Sequence, residues 1–257
     1  MQFPALTLFL DFDGVICQSL EECFRTSWLT LTGQKIGLQP IPEPPFNEEY
    51  RRCFDACRPY IRSGEDYIVV HEWAASGRIP QNQDAFDQSL KARGVEAMAE
   101  WKKKLYVTRE KLLVEYPQEW LSWNPLYPGI QEALQAQCGN PQVWILSTKK
   151  ADFIHTILSF HGVDWSQERI IYTGTKRKLD WIDQLVGKNP AVLIDDQIDH
   201  LDFQHPTCDC WLALWGYVSS EACQKAPQAL NLEDGLKLIR SFPPPSQGEL
   251  KAPIRPL

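Results

Sequence analysis

A chain of 257 residues with 44% hydrophobic and 23% charged residues has an ordinary globular composition and buries a core as one large domain or two smaller ones. A net charge of -7 with no basic run argues against a nucleic-acid partner. No stretch reaches the ~20 apolar residues of a membrane span, and the first apolar run, with no basic region before it, stops at an acid, which does not suit a secretory signal.

The first predicted element is a buried strand over 5–10, rich in Leu, Phe and Thr, and it ends in Asp11-Phe12-Asp13-Gly14. Residues two apart in an extended segment face the same side, so both carboxylates are directed at one point. That placement is costly unless something cationic receives them. Gly14 permits a sharp turn and the close approach of a ligand to the backbone. Segments 19–31, 47–61, 65–76, 83–91 and 95–116 then carry apolar positions at helical spacing. They make 19–125 a helical block, with a proline-rich stretch at 40–45 and Asn124-Pro125 at its exit. A Tyr127-Pro128-Gly129 turn leads into a further helical pattern.

Strand-like runs recur at 142–146, 169–172, 191–194 and 210–214, with helical patterns at 150–161 and 178–186 between them. Alternation of this kind predicts an α/β fold with a doubly wound parallel sheet. Pro243-Pro244-Pro245 opens a proline-rich tail, 242–257, expected to lie outside the compact fold. The eight cysteines form no C-x-x-C framework and read as reduced thiols of a cytoplasmic protein.

Ligands bind such sheets at the carboxyl ends of the strands, which makes the other strand ends informative. The run at 142–146 is followed by Ser147-Thr148-Lys149, a hydroxyl with neighbouring backbone N–H groups suited to phosphoryl oxygens. A Ser capping the next helix is an equally valid reading of the same residues. The run at 191–194 ends in Asp195-Asp196, a second pair of hard oxygen donors of the kind Mg²⁺ prefers. Lys176, Arg177 and Lys178 stand before a helical pattern. There is no G-x-x-x-x-G-K-[ST] loop, no G-x-G-x-x-G, no H-E-x-x-H and no G-x-S-x-G elbow.

Taken together, these four segments resemble the motifs of the haloacid dehalogenase-like hydrolase superfamily, in its phosphatase branch with a helical C1-type cap. The family's dehalogenases lack the second Asp, so Asp13 points to phosphoryl transfer. The resemblance implies a Rossmann-like core over 1–18 and 126–241 with a cap over 19–125. It implies that Asp11 attacks phosphorus, while Asp13 protonates the leaving group and then activates water. Ser147, Thr148 and Gly14 would meet the phosphate, although Thr148 stands where relatives often have Asn or Gly. Lys178, with Lys176 as runner-up, would steady the nucleophile. Mg²⁺ would be held by Asp11, by Asp13 through its backbone carbonyl and by Asp196. Asp195 would support it or exchange roles with Asp196, and Asp199 is a further candidate. The expected activity is hydrolysis of a small phosphorylated metabolite. A sugar phosphomutase and a non-catalytic regulatory protein on the same fold remain alternatives. Specificity would reside in the cap, which carries no legible signature, and oligomeric state leaves no trace in the sequence.

Overall fold

The computed structural model describes residues 6–37, 40–44 and 47–244. They form two compact units, one made of the described residues up to 18 and from 126 onward and the other of those between 19 and 125. Among the described residues no helix is long and apolar enough to cross a membrane.

Strand β1, Thr7–Leu10, opens the first unit. The second unit follows in sequence and is helical: α1 Leu20–Thr32, α2 Glu48–Cys57, α3 Tyr67–Ala75, α4 Gln83–Arg93, α5 Val95–Glu115 and α6 Pro117–Ser122. The helix expected over 47–61 ends at Cys57, and Arg58–Tyr60 is a single 3-10 turn. Pro59 explains the break, because it lacks an N–H and disfavours helical geometry in the residue before it. The helix expected from 65 starts only at Tyr67, after a separate turn at Gly64–Asp66. There the Asp66 carboxylate accepts from the backbone N–H groups of Arg62 at 2.9 Å and Ser63 at 3.1 Å. The sequence reading did not separate α6, which starts on a proline at its first turn.

Two buried polar clusters tie these helices together. Arg109 of α5 grips Glu22 of α1 through Nε to Oε1 at 2.9 Å and Nη2 to Oε2 at 3.0 Å. His71 of α3 lies between Ser27 of α1, 2.7 Å from Nε2, and Tyr50 of α2, 2.5 Å from Nδ1. The Ser27 hydroxyl donates to the Cys23 carbonyl, so it accepts from His71, which defines a neutral imidazole with its proton on Nε2. Burial pushes the pKa of His71 down to about 3.

The first unit resumes with α7 Ile130–Gln135, β2 Val143–Ser147, α8 Ala151–Phe160, β3 Ile170–Tyr172, α9 Lys178–Val186 and β4 Ala191–Asp195. It continues with β5 Cys208–Ala213, α10 Ser220–Lys225, β6 Ala229–Leu230 and α11 Leu232–Ser241. The six strands form one sheet in the order β3-β2-β1-β4-β5-β6, and every pairing is parallel. Register aligns Trp144, Phe9, Leu193 and Cys210 in one row across the sheet. That row packs with Leu179, Ile182 and Val186 of α9. All four residues of β1 are buried, as a central strand covered on both faces requires.

Two corrections concern the ends of the chain. The strand expected over 5–10 is described only from Thr7, and Ala5 lies outside the described residues. The tail expected to leave the fold from Phe242 does not do so at its start. Phe242 is buried, and its carbonyl accepts from Gln137 Nε2 at 3.3 Å. An aromatic side chain ahead of three prolines still finds the core, which composition alone does not reveal; residues 245–257 lie outside the described residues.

Because His71 is neutral when folded and takes a proton when unfolded below about pH 6.5, its stabilising contribution is complete above that pH and declines as pH falls towards its folded value. Denaturant unfolding at pH 7 and pH 5 is expected to show the wild-type chain losing about 2 kcal/mol more than His71→Gln over that interval. Parallel pH profiles for the two proteins would contradict this assignment.

Candidate active site

Parallel register brings the acids together. Leu10 pairs with Ile194, so the next residues on the two strands, Asp11 and Asp195, emerge side by side, and the Asp11 N–H donates to the Ile194 carbonyl at 3.0 Å. Asp11, Asp195 and Asp196 are all buried, at 6%, 0% and 2% exposure. Each offers a carboxylate oxygen, and these atoms lie within 4.8 Å of one another.

Lys178 enters this cluster from the first residue of α9. Side chains on a helix lean towards its N-terminus, so a lysine at that position is directed at the strand ends. Its Nζ lies 2.7 Å from Asp11 Oδ1 and 2.6 Å from Asp195 Oδ2. Asp195 also accepts from the Gln197 N–H at 2.9 Å and lies 3.0 Å from His200 Nδ1, so both its oxygens meet protein donors. Burial pushes the Asp195 carboxyl up, but Lys178 and His200 outweigh it and hold the group well below the usual carboxylate range. Burial likewise lowers Lys178, and Asp11 and Asp195 reverse that, leaving the ammonium above its ordinary value. For Asp11 burial prevails over Lys178, and its pKa is raised.

Lys176, the other candidate lysine, turns away. It is exposed, bonds Gln184 and stacks over the Trp181 ring at 4.5 Å. Asp199 is exposed and stands outside the three-carboxylate cluster. Ser147 is buried at the end of β2 and its Oγ accepts from the Lys149 N–H at 3.3 Å, while Thr148 beside it is half-buried. Asp13 is half-buried too, and Lys149 Nζ lies 2.8 Å from its Oδ1.

The sequence reading of Gly14 needs an addition. It has φ +90°, and a Cβ there would stand 2.0 Å from Asp196 Oδ2. The space a side chain would fill thus holds the Asp196 carboxylate, whatever else approaches that turn. Gly216 matters in the same way, since its Cβ would stand 2.4 Å from Asp196 Cβ and 2.5 Å from the Gly14 carbonyl. The next residue, Tyr217, donates its N–H to Asp196 Oδ2 at 2.8 Å. Two glycines from distant loops therefore make room for one aspartate.

Lys149 and His200 are the site residues that sequence reasoning passed over. Lys149 had a local signal, since it follows Ser147 by two residues on an extended exit. His200 had none, because nothing periodic marks the 3-10 turn Ile198–His200 that folds it back onto the Asp195 carboxylate.

No family model and no curated protein matches the chain by sequence. Solved structures do match it in shape. A predicted phosphoglycolate phosphatase from Haemophilus somnus aligns with TM-score 0.51 and 15% identity over 89% of this chain and 94% of its own. A predicted phosphatase from Clostridium acetobutylicum aligns with TM-score 0.50 and 12% identity, covering 91% and 97% of the two chains. A candidate haloacid dehalogenase-like hydrolase from Burkholderia xenovorans aligns with TM-score 0.50 and 14% identity over 92% and 96%. The fold is that of the haloacid dehalogenase-like hydrolases, a parallel Rossmann-like sheet with a helical unit in sequence after its first strand.

Replacing Gly14 by Ala places a side chain at positive φ and against Asp196. The variant is expected to lose more than about 1 kcal/mol of stability in thermal unfolding, with Asp196 displaced in its crystal structure. An unchanged melting temperature with Asp196 in place would refute the close-approach argument.

Proposed function

We propose that the chain is a Mg²⁺-dependent phosphatase that hydrolyses a small phosphate monoester through a phosphoryl group carried on Asp11. The observation that carries this reading is the buried Lys178 ammonium between Asp11 and Asp195, with Asp196 beside them at the carboxyl end of a parallel sheet. The phosphatase names borne by fold neighbours agree with it.

The residues present suit a divalent cation. Three buried carboxylates lie together around Lys178, a concentration of negative charge that is costly without compensation. Burial raises the pKa of Asp11 and the Asp195 charge adds to it, whereas a nucleophile must be ionised. Carboxylate oxygens are the donors Mg²⁺ prefers. Asp11, Asp196 and the Asp13 backbone carbonyl would hold it. Asp195, whose two oxygens already accept from Lys178, His200 and the Gln197 N–H, would support from behind. When bound, the ion offsets repulsion between the anionic nucleophile and the anionic ester.

The protein groups then divide the work. Asp11 attacks phosphorus, with Lys178 holding its carboxylate in line and neutralising charge on the phosphoryl oxygens. Asp13 gives a proton to the departing oxygen and later takes one from the hydrolytic water. Ser147, with Thr148 and the Gly14 turn, supplies neutral contacts to the phosphoryl group. The helical unit would act as the cap that selects the substrate. All eight cysteines are free thiols, six of them buried, which suits a reducing cytoplasmic setting.

Asp11→Asn keeps the shape of the side chain and removes the nucleophile. Hydrolysis of p-nitrophenyl phosphate with Mg²⁺ is expected to fall on the order of 10³-fold or more while the circular dichroism spectrum is unchanged. Chelation should abolish the wild-type activity and added Mg²⁺ should restore it. A variant that turns over at the wild-type rate would refute the mechanism.

A further inference from the structure

Lys149 has no role in the scheme above, yet it is as deeply placed as Lys178. Its side chain is 2% exposed, Nζ lies 5.5 Å from the centroid of the Phe12 ring, and it contacts Asp13 Oδ1 at 2.8 Å. Asp13 itself is 20% exposed and sits on the turn that ends at Cys17. A short acid near solvent has several rotamers to choose from, and general acid catalysis works only from one of them. Burying an ammonium is costly, so a structure that needed only packing at this strand exit would favour an apolar side chain.

We propose that Lys149 is the positioning residue for the acid–base step, anchoring Asp13 through Oδ1 so that the travelling proton is carried on Oδ2. The proposal rests on the phosphatase reading and adds to it a second lysine with its own acid. A carbonyl oxygen accepts from an ammonium as a carboxylate oxygen does, so the anchor survives both protonation states of Asp13. In the first half, the bond from phosphorus to the leaving oxygen breaks as the bond to Asp11 forms. The leaving oxygen keeps the electron pair and takes the Oδ2 proton. In the second half, water attacks phosphorus, returns a proton to Oδ2 and frees the Asp11 carboxylate. Lys178 and Lys149 thus keep the two acids of one strand end in separate duties, the first held as a nucleophile and the second as a proton carrier.

The test uses leaving groups of different basicity. An alkyl alcohol departs only with a proton, whereas p-nitrophenol departs readily as the anion. In the full-length Lys149→Met protein, kcat on an alkyl phosphate is expected to fall on the order of 10²-fold, the usual size of a general-acid contribution. The loss on p-nitrophenyl phosphate should be smaller by about tenfold or more. Lys149→Arg should recover part of the alkyl-ester rate, and Lys149→Met should have no further effect in an Asp13→Asn background. Equal losses on both esters, or a full Lys149 effect without Asp13, would overturn the proposal and make Lys149 a phosphate contact. A crystal structure of Lys149→Met supplies the independent readout: Asp13 should leave its present rotamer, and an unmoved Asp13 overturns the proposal. If the wild-type chain hydrolyses neither ester, the phosphatase reading fails, and the rotamer comparison still decides whether Lys149 positions Asp13.

Discussion

The site depends on one buried cation shared by two acids. Lys178 has almost no contact with solvent, so its charge is tolerable only because Asp11 and Asp195 both meet it. That constraint fixes three elements at once: the end of β1, the end of β4 and the first turn of α9. Moving any of them by a residue would strand a charge in the interior. Parallel register supplies the alignment, since Leu10 beside Ile194 places Asp11 beside Asp195 without any local feature of either segment requiring it.

Charge and space are arranged around that clamp. His200 and the Gln197 N–H add to the donors on Asp195, while Asp196 occupies room left by Gly14 and Gly216 and accepts from Tyr217. The result is a buried cluster of carboxylate oxygens, and the divalent ion of the proposed function would offset that concentration of negative charge. Lys149 and Asp13 form a second ion pair, to which the proposal gives a separate role. The helical unit is organised independently, through Glu22 with Arg109 and through His71 between Ser27 and Tyr50.

Much of the architecture was readable from local pattern. Alternating apolar runs and helical spacing located all five of the longer strands and the helix Lys178–Val186, and the acids following the first strand pointed to the end of the sheet where Asp11, Asp195 and Asp196 cluster. Two-residue β6 was too short to leave a signal, and α11 escaped because its Asn231 cap, whose side chain accepts from the Asp234 N–H at 2.9 Å, follows directly on that strand. The boundary errors at Cys57 and Tyr67 arose where a proline and a capping aspartate interrupt an otherwise continuous apolar period.

By itself the sequence determined which residues emerge together from one strand, because side-chain direction along an extended chain follows from backbone geometry alone. It left Lys176 and Lys178 as rivals, read Gly14 as a turn and a ligand approach but not as room for Asp196, passed over Lys149 and His200, and sent Phe242 out of the fold. Each of those questions concerns what a side chain meets on another element. Only the tertiary structure decides that, because burial and pairing of charge across strands depend on register and helix placement, quantities that no local period encodes.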